Sequence, residues 1–185
     1  MKTEQATEID WDQILRQEMD WAIEQKRKVT GDDEFTMRVK VVGPYGQIAN
    51  TPVVWRNEQE KRKAMWAVSQ TAKMTVSQAV IVTSDARFLN VPGFCKRFGI
   101  AEPTPGNLEA FDLERRRVMK GFDFYMGNLP RDCFDENLLV AIRGPRVCRM
   151  AIAKYTVVKG VVVFEPTMED KDAKVIVNMV PEWWQ

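Results

Sequence analysis

The sequence predicts an α+β fold: a mostly antiparallel sheet of about five to seven strands, an N-terminal helix, and one central helix packed on the sheet. Three observations lead there. An apolar stripe at helical spacing opens the chain, and a second follows a charged block near residue 60. Between and after them lie alternating or continuous apolar runs bounded by Gly and Pro. At 185 residues the chain can bury one sizeable core, so residues 1–185 read as a single α+β domain.

Residues 9–28 carry apolar side chains at Trp11, Leu15, Met19 and Ala22, with Asp10 and Asp12 at the start and Lys26, Arg27 and Lys28 at the end. Acids first and bases last complement the helix dipole. "FTMRVKVV" then sets Phe35, Met37, Val39 and Val41 against Thr36, Arg38 and Lys40, the period of a half-buried strand. "GPYG" turns the chain, and Pro52 marks the return strand, Gln47 to Trp55, as an edge or bulged strand.

Asn57 followed by Glu60 reads as a capping box opening a helix over 57–74, with Ala64, Met65, Val68 and Ala72 turned inward. The charges of "RNEQEKRK" are then helix-start chemistry and a solvated face. Only Trp66, beside Ser69, Gln70 and Lys73, lies outside that account.

"VSQAVIVTSD", residues 76–85, is continuously apolar and predicts a central strand covered on both faces. Residues 89–136 read as an irregular, insertion-like region with one short helix around Leu108 to Met119. Strands return in "NLLVAIRG", "RVCRMAIAKYTV", "GVVVFEP" and "KVIVNMVPEWWQ", with Gly144-Pro145 and Lys159-Gly160 as tight turns of an antiparallel meander.

Composition excludes several chemistries. The chain has no histidine, which removes Ser-His-Asp and Cys-His pairs and His-ligated zinc. Cys95, Cys133 and Cys148 have neither disulfide-framework nor C-x-x-C spacing, as suits a reducing cytoplasm. Cys148, between Arg146 and Arg149, is expected to face the core while Arg149 faces out. "MKTEQATEID" has no apolar h-region, and no run approaches the ~20 apolar residues of a membrane span. The expectation is a cytoplasmic protein with no membrane partner. No Gly-rich phosphate loop occurs, and no cofactor or metal is expected. Glu169-Asp170-Lys171 and Asp172-Ala173-Lys174 spell the acid-x-Lys pairs of carboxylate-metal nucleases, but "PTMEDKDAK" reads as a hairpin tip.

Trp55, Arg56, Asn57, Glu58, Glu60 and Lys61, followed by Ser84 and Asp85, carry a resemblance. The segment resembles uncharacterised bacterial and bacteriophage proteins in which a hairpin ends in a W-[RK]-[DN]-E-x-E-K helix start and a buried strand closes on a Ser-acidic-aromatic group. It covers residues 35–88 and, more faintly, 137–184. Ala86-Arg87-Phe88 departs from it, since an aromatic would directly follow the acid. The resemblance implies the order of elements and a phage or mobile-element origin; it carries no activity.

Charge is segregated although the net charge is only +1. Residues 1–34 hold five bases against ten acids, whereas residues 137–164 hold five bases and no acid. The functional expectation is a non-enzymatic binding or accessory protein that docks on a protein partner, or on its own copy, through aromatic and arginine-rich segments. Its expected contact residues are Trp66, Phe94, Arg97, Arg115, Arg116, Phe122, Phe124, Tyr125, Trp183 and Trp184. The alternative is a nucleic-acid-binding protein using Arg143, Arg146, Arg149 and Lys154, and a carboxylate-dependent metal nuclease is the third class. The bland reading of the bases is pairing with the chain's own acids.

Overall fold

The computed structural model describes residues 9–29, 35–54, 58–122 and 129–170. The fold is α+β, with four α-helices and a seven-stranded antiparallel sheet among these residues. In chain order the elements are α1 (Trp11–Lys28), β1 (Arg38–Gly43), β2 (Gly46–Pro52), α2 (Glu58–Met74), β3 (Ala79–Leu89), α3 (Val91–Phe98), α4 (Leu108–Lys120), β4 (Phe134–Gly144), β5 (Val147–Val158), β6 (Val161–Phe164) and β7 (Met168–Asp170). The sheet runs β2-β1-β3-β4-β5-β6, and β7 also pairs with β5. No described helix is long and apolar enough to cross a membrane. The chain divides into two compact units, Met1–Asp85 with Leu138–Gln185, and Ala86–Asn137.

In the first unit α1 starts where Asp10 accepts from the Gln13 N–H at 2.9 Å. Its inward row, Leu15, Met19, Ala22 and Lys26, follows the spacing of one helix face. Leu15, Met19 and Ala22 pack with Ala79, Ile81, Leu138, Val140, Ile142, Ala151 and Ala153 of the sheet. Truncating Leu15 or Met19 to Ala would remove about 2–5 kcal/mol of packing. The opposite sheet face belongs to α2, whose Met65 and Ala72 join Val39, Val41, Val80 and Val82. Alternate residues of β3 therefore enter different cores, which is why it reads as an uninterrupted apolar run.

Several expectations need correction. β1 is not half solvated: Lys40, on its polar side, forms a partly buried ion pair with Glu18 of α1. Phe35 leaves the alternation because Asp85 captures its N–H and its ring stands edge-on to Trp21, 5.8 Å between centroids. Residues 76–78 are not strand. The N–H of Val76 reaches the Lys73 carbonyl at 3.3 Å and that of Ser77 the Ala72 carbonyl at 3.0 Å, a Schellman closure of α2. β2 is the edge strand, with Ile48 unmatched at a bulge between the Val41↔Ala49 and Val42↔Gln47 pairs.

In the second half of the sheet, Lys159 and Gly160 at φ 53° and 80° form a two-residue turn between β5 and β6. Glu169 and Asp170 are not a hairpin tip, since they lie in β7 opposite Ala151 and Met150. Arg149 does not face away from α1. Its Nε donates to Asp12 Oδ1 at 2.8 Å, while Cys148 packs with Ala141 and Met150. The capping pair's Asn57 and the strand expected over Lys174–Gln185 lie outside the described residues.

The Ala86–Asn137 unit is more regular than its sequence suggests. α3 begins at Asn90, whose side chain accepts from the Gly93 N–H at 3.1 Å, and ends at left-handed Gly99. Gly93 is dictated by space, because a Cβ there would stand 1.9 Å from the Asp132 carbonyl oxygen. α4 follows a turn in which Asn107 accepts from both the N–H and the hydroxyl of Thr104. Phe94, Met119, Leu129 and Cys133 form the unit's buried cluster, with Phe98 and Phe122 packed against it.

Candidate functional site

α2 has one face with no work in the fold. Met65, Ser69 and Ala72 are buried on its inner side, whereas Trp66 is 62% exposed. At 100° per residue, Arg62, Lys63, Trp66, Gln70, Lys73 and Met74 fall within an outward arc of about 120°. Met74 is 83% exposed. Arg62, Lys63 and Lys73 make no hydrogen bond or ion pair among the described residues. No acid occurs between Lys61 and Ser84, so Lys73 has no acid three or four residues away along the helix, whereas Glu58 and Glu60 stand at that spacing from Arg62 and Lys63.

Immediately beyond, Val76 adopts φ 51° and is 81% exposed. A Schellman closure ordinarily places Gly there, since a β-branched residue in this region is strained. The helix thus ends on an apolar side chain held in solvent at a conformational cost.

The densest polar cluster of the first unit is centred on Asp85. Lys26, only 2% exposed, donates to Oδ2 at 3.0 Å, the Phe35 N–H donates to the same oxygen at 2.6 Å, and the Tyr155 hydroxyl donates to Oδ1 at 3.2 Å. The Lys26 ammonium also stands 4.8 Å from the centre of the Tyr155 ring. All three donors belong to the fold, so the cluster ties α1, the approach to β1, and β5 to β3. Among the described residues no group of three or more Asp, Glu or Cys side chains is arranged to hold a metal ion.

The remaining expected contact residues are distributed as follows. Phe94 is 0% exposed at the centre of its cluster, which corrects its assignment to a contact surface: the ring is core. Phe122 is half-buried and T-shaped against Phe98 at 5.9 Å. Arg97 is exposed near the end of α3. Arg115 and Arg116 both bind Asp112, and Arg117 lies 3.4 Å from Glu114. The hydrogen bond from Arg115 holds the Asp112 carboxyl below its ordinary range. Phe124, Tyr125, Trp183 and Trp184 lie outside the described residues.

Of the four bases expected to track nucleic acid, Arg143 is buried, Arg149 is paired with Asp12, Lys154 lies 3.6 Å from Glu165, and Arg146 is exposed at the β4–β5 turn. They do not form one open basic face. Burial is the principal cause raising the thiols of Cys95 and Cys133, opposite to what a nucleophile requires.

Sequence reasoning singled out Trp66 but missed its companions Arg62, Lys63, Lys73, Met74 and Val76. Their signal was present as an acid-free run around one aromatic. No protein-family model matches the chain, and neither a curated protein nor a solved structure matches it.

Proposed function

We propose that this chain is a non-enzymatic docking protein, an accessory or inhibitory subunit that acts by occupying a protein partner. The observation that carries the reading is Trp66: a large aromatic side chain, mostly in solvent, on a regular helix whose inner face is already packed. Tryptophan and arginine are the types that anchor interfaces, and folding alone gives no reason to leave this ring in water. The exposed Arg97 and the apolar Leu108 and Leu113 of the Ala86–Asn137 unit supply further candidate contact area. A phage or mobile-element origin, suggested by the resemblance of the hairpin-to-helix junction, would suit such a role.

The test is a pull-down with the tagged full chain, with and without nuclease, followed by co-elution of the retained species with purified protein on a sizing column. A stoichiometric protein that survives nuclease and co-elutes is the expected result. Recovery abolished by nuclease would replace the reading with nucleic-acid binding, and co-elution of nothing would end it.

A further inference from the structure

We infer that the outward face of α2 is the contact site, and that its occupant is an acidic segment of a partner protein carrying an apolar side chain between its carboxylates. The inference rests on the docking reading and adds the place and the chemistry of the partner.

Lys28 pairs with Glu24 at 2.8 Å on α1 and Arg116 pairs with Asp112 at 2.8 Å on α4, whereas Arg62, Lys63 and Lys73 of α2 have no ion pair among the described residues. These three cations flank Trp66 along the helix, Arg62 and Lys63 on one side and Lys73 on the other. A face that is apolar at its centre and positive at both ends is complemented by a segment apolar at its centre and negative at both ends. Trp66 supplies the buried anchor, and the cations supply steering and register.

The C-terminal end of the helix adds apolar surface at Met74 and Val76. These aliphatic side chains favour a protein occupant over nucleic acid, because neither offers a ring on which a base could stack. Three cations would also neutralise only about three phosphates, a small electrostatic grip on a polyanion. The strained Val76 points the same way. Glycine would relax the backbone at φ 51° but delete the exposed side chain.

The full-length protein is titrated into short fluorescein-labelled probes followed by anisotropy: a peptide alternating Glu and Leu, a poly-Glu peptide, and an oligothymidylate of equal charge. The Glu-Leu peptide is expected to bind best. Its affinity is expected to fall about tenfold with Trp66→Ala and again with Arg62→Gln/Lys63→Gln/Lys73→Gln, while Trp66→Phe retains most of it. All of these positions are exposed, so the variants keep the wild-type circular dichroism. Poly-Glu binding as well as Glu-Leu would remove the apolar half of the site, and tighter oligothymidylate binding would give the face to nucleic acid. Either result overturns the inference. A purified partner that binds the wild type and all three variants equally would overturn this site while leaving the docking reading intact.

Discussion

Lys26 crosses from α1 to β3 and sets its ammonium 3.0 Å from Asp85 Oδ2, in the least exposed ion pair of the described residues. A charge so far from water is tolerable only while its partner remains. Asp85→Ala removes that carboxylate and also the acceptor of the Phe35 N–H and of the hydrogen bond from the Tyr155 hydroxyl. The expected loss is about 3–5 kcal/mol in urea denaturation. Lys26→Met/Asp85→Leu removes both charges together and should recover part of it. A double variant no better than Asp85→Ala alone would show that the ion pair is not the cause.

Two glycines are set by space alone. A Cβ on Gly144 would lie 2.0 Å from the Gln78 carbonyl oxygen, and one on Gly93 would lie 1.9 Å from that of Asp132. The contacting atoms are backbone and cannot rotate aside. Gly144→Ala and Gly93→Ala are each expected to cost more than about 2 kcal/mol, against roughly 0.5 kcal/mol or less for a surface substitution. Gly106→Ala, with open space around its Cβ, is the control. Thermal melts of the three variants decide it.

The thiols give a pH prediction. Burial raises Cys95 and Cys133 in the native protein, so the unfolded chain loses these protons first. Their contribution to stability is whole below the unfolded pKa of about 8.5 and declines as pH rises through the higher native values. Iodoacetamide at mildly alkaline pH should modify half-buried Cys148 first and reach the other two only on unfolding. Mapping the modified peptides tests this, and early labelling of Cys95 would contradict it.

Val76→Gly should stabilise the protein by about 1 kcal/mol in chemical denaturation, the cost of holding a non-glycine residue in the left-handed region. Part of that gain is offset by the greater freedom of glycine in the unfolded chain. A destabilised Val76→Gly would mean that the side chain contributes packing its exposure does not reveal.

The legibility of the fold follows the range of the forces involved. α1 and the β1–β2 hairpin were readable because apolar periodicity and turn residues are local signals. α3 was not, because Pro92 and Gly93 read as breakers; yet Asn90 before them and Gly99 after them are the start and stop signals of a short helix. The orientation of Arg149 toward Asp12 is not legible in sequence, because adjacency on a strand gives alternation but not its phase. Asp85 matched a motif on sequence, but its partners lie 59 and 70 residues away and no spacing rule connects them. On α2 the cations read from sequence as an ordinary solvated face, and which of them pair depends on side-chain geometry that spacing does not fix.

The contact between Arg149 and Asp12 joins residues 137 positions apart. On a growing chain α1 is made before β5, so its burial against that strand must wait for more than a hundred further residues. The Ala86–Asn137 unit needs only its own consecutive residues for the cluster around Phe94. Contacts of such different range separate in time, local ones forming early and distant ones late. Pulse-labelled amide exchange during refolding should therefore protect α3 and α4 before α1, so that a helix made earlier than they are settles later.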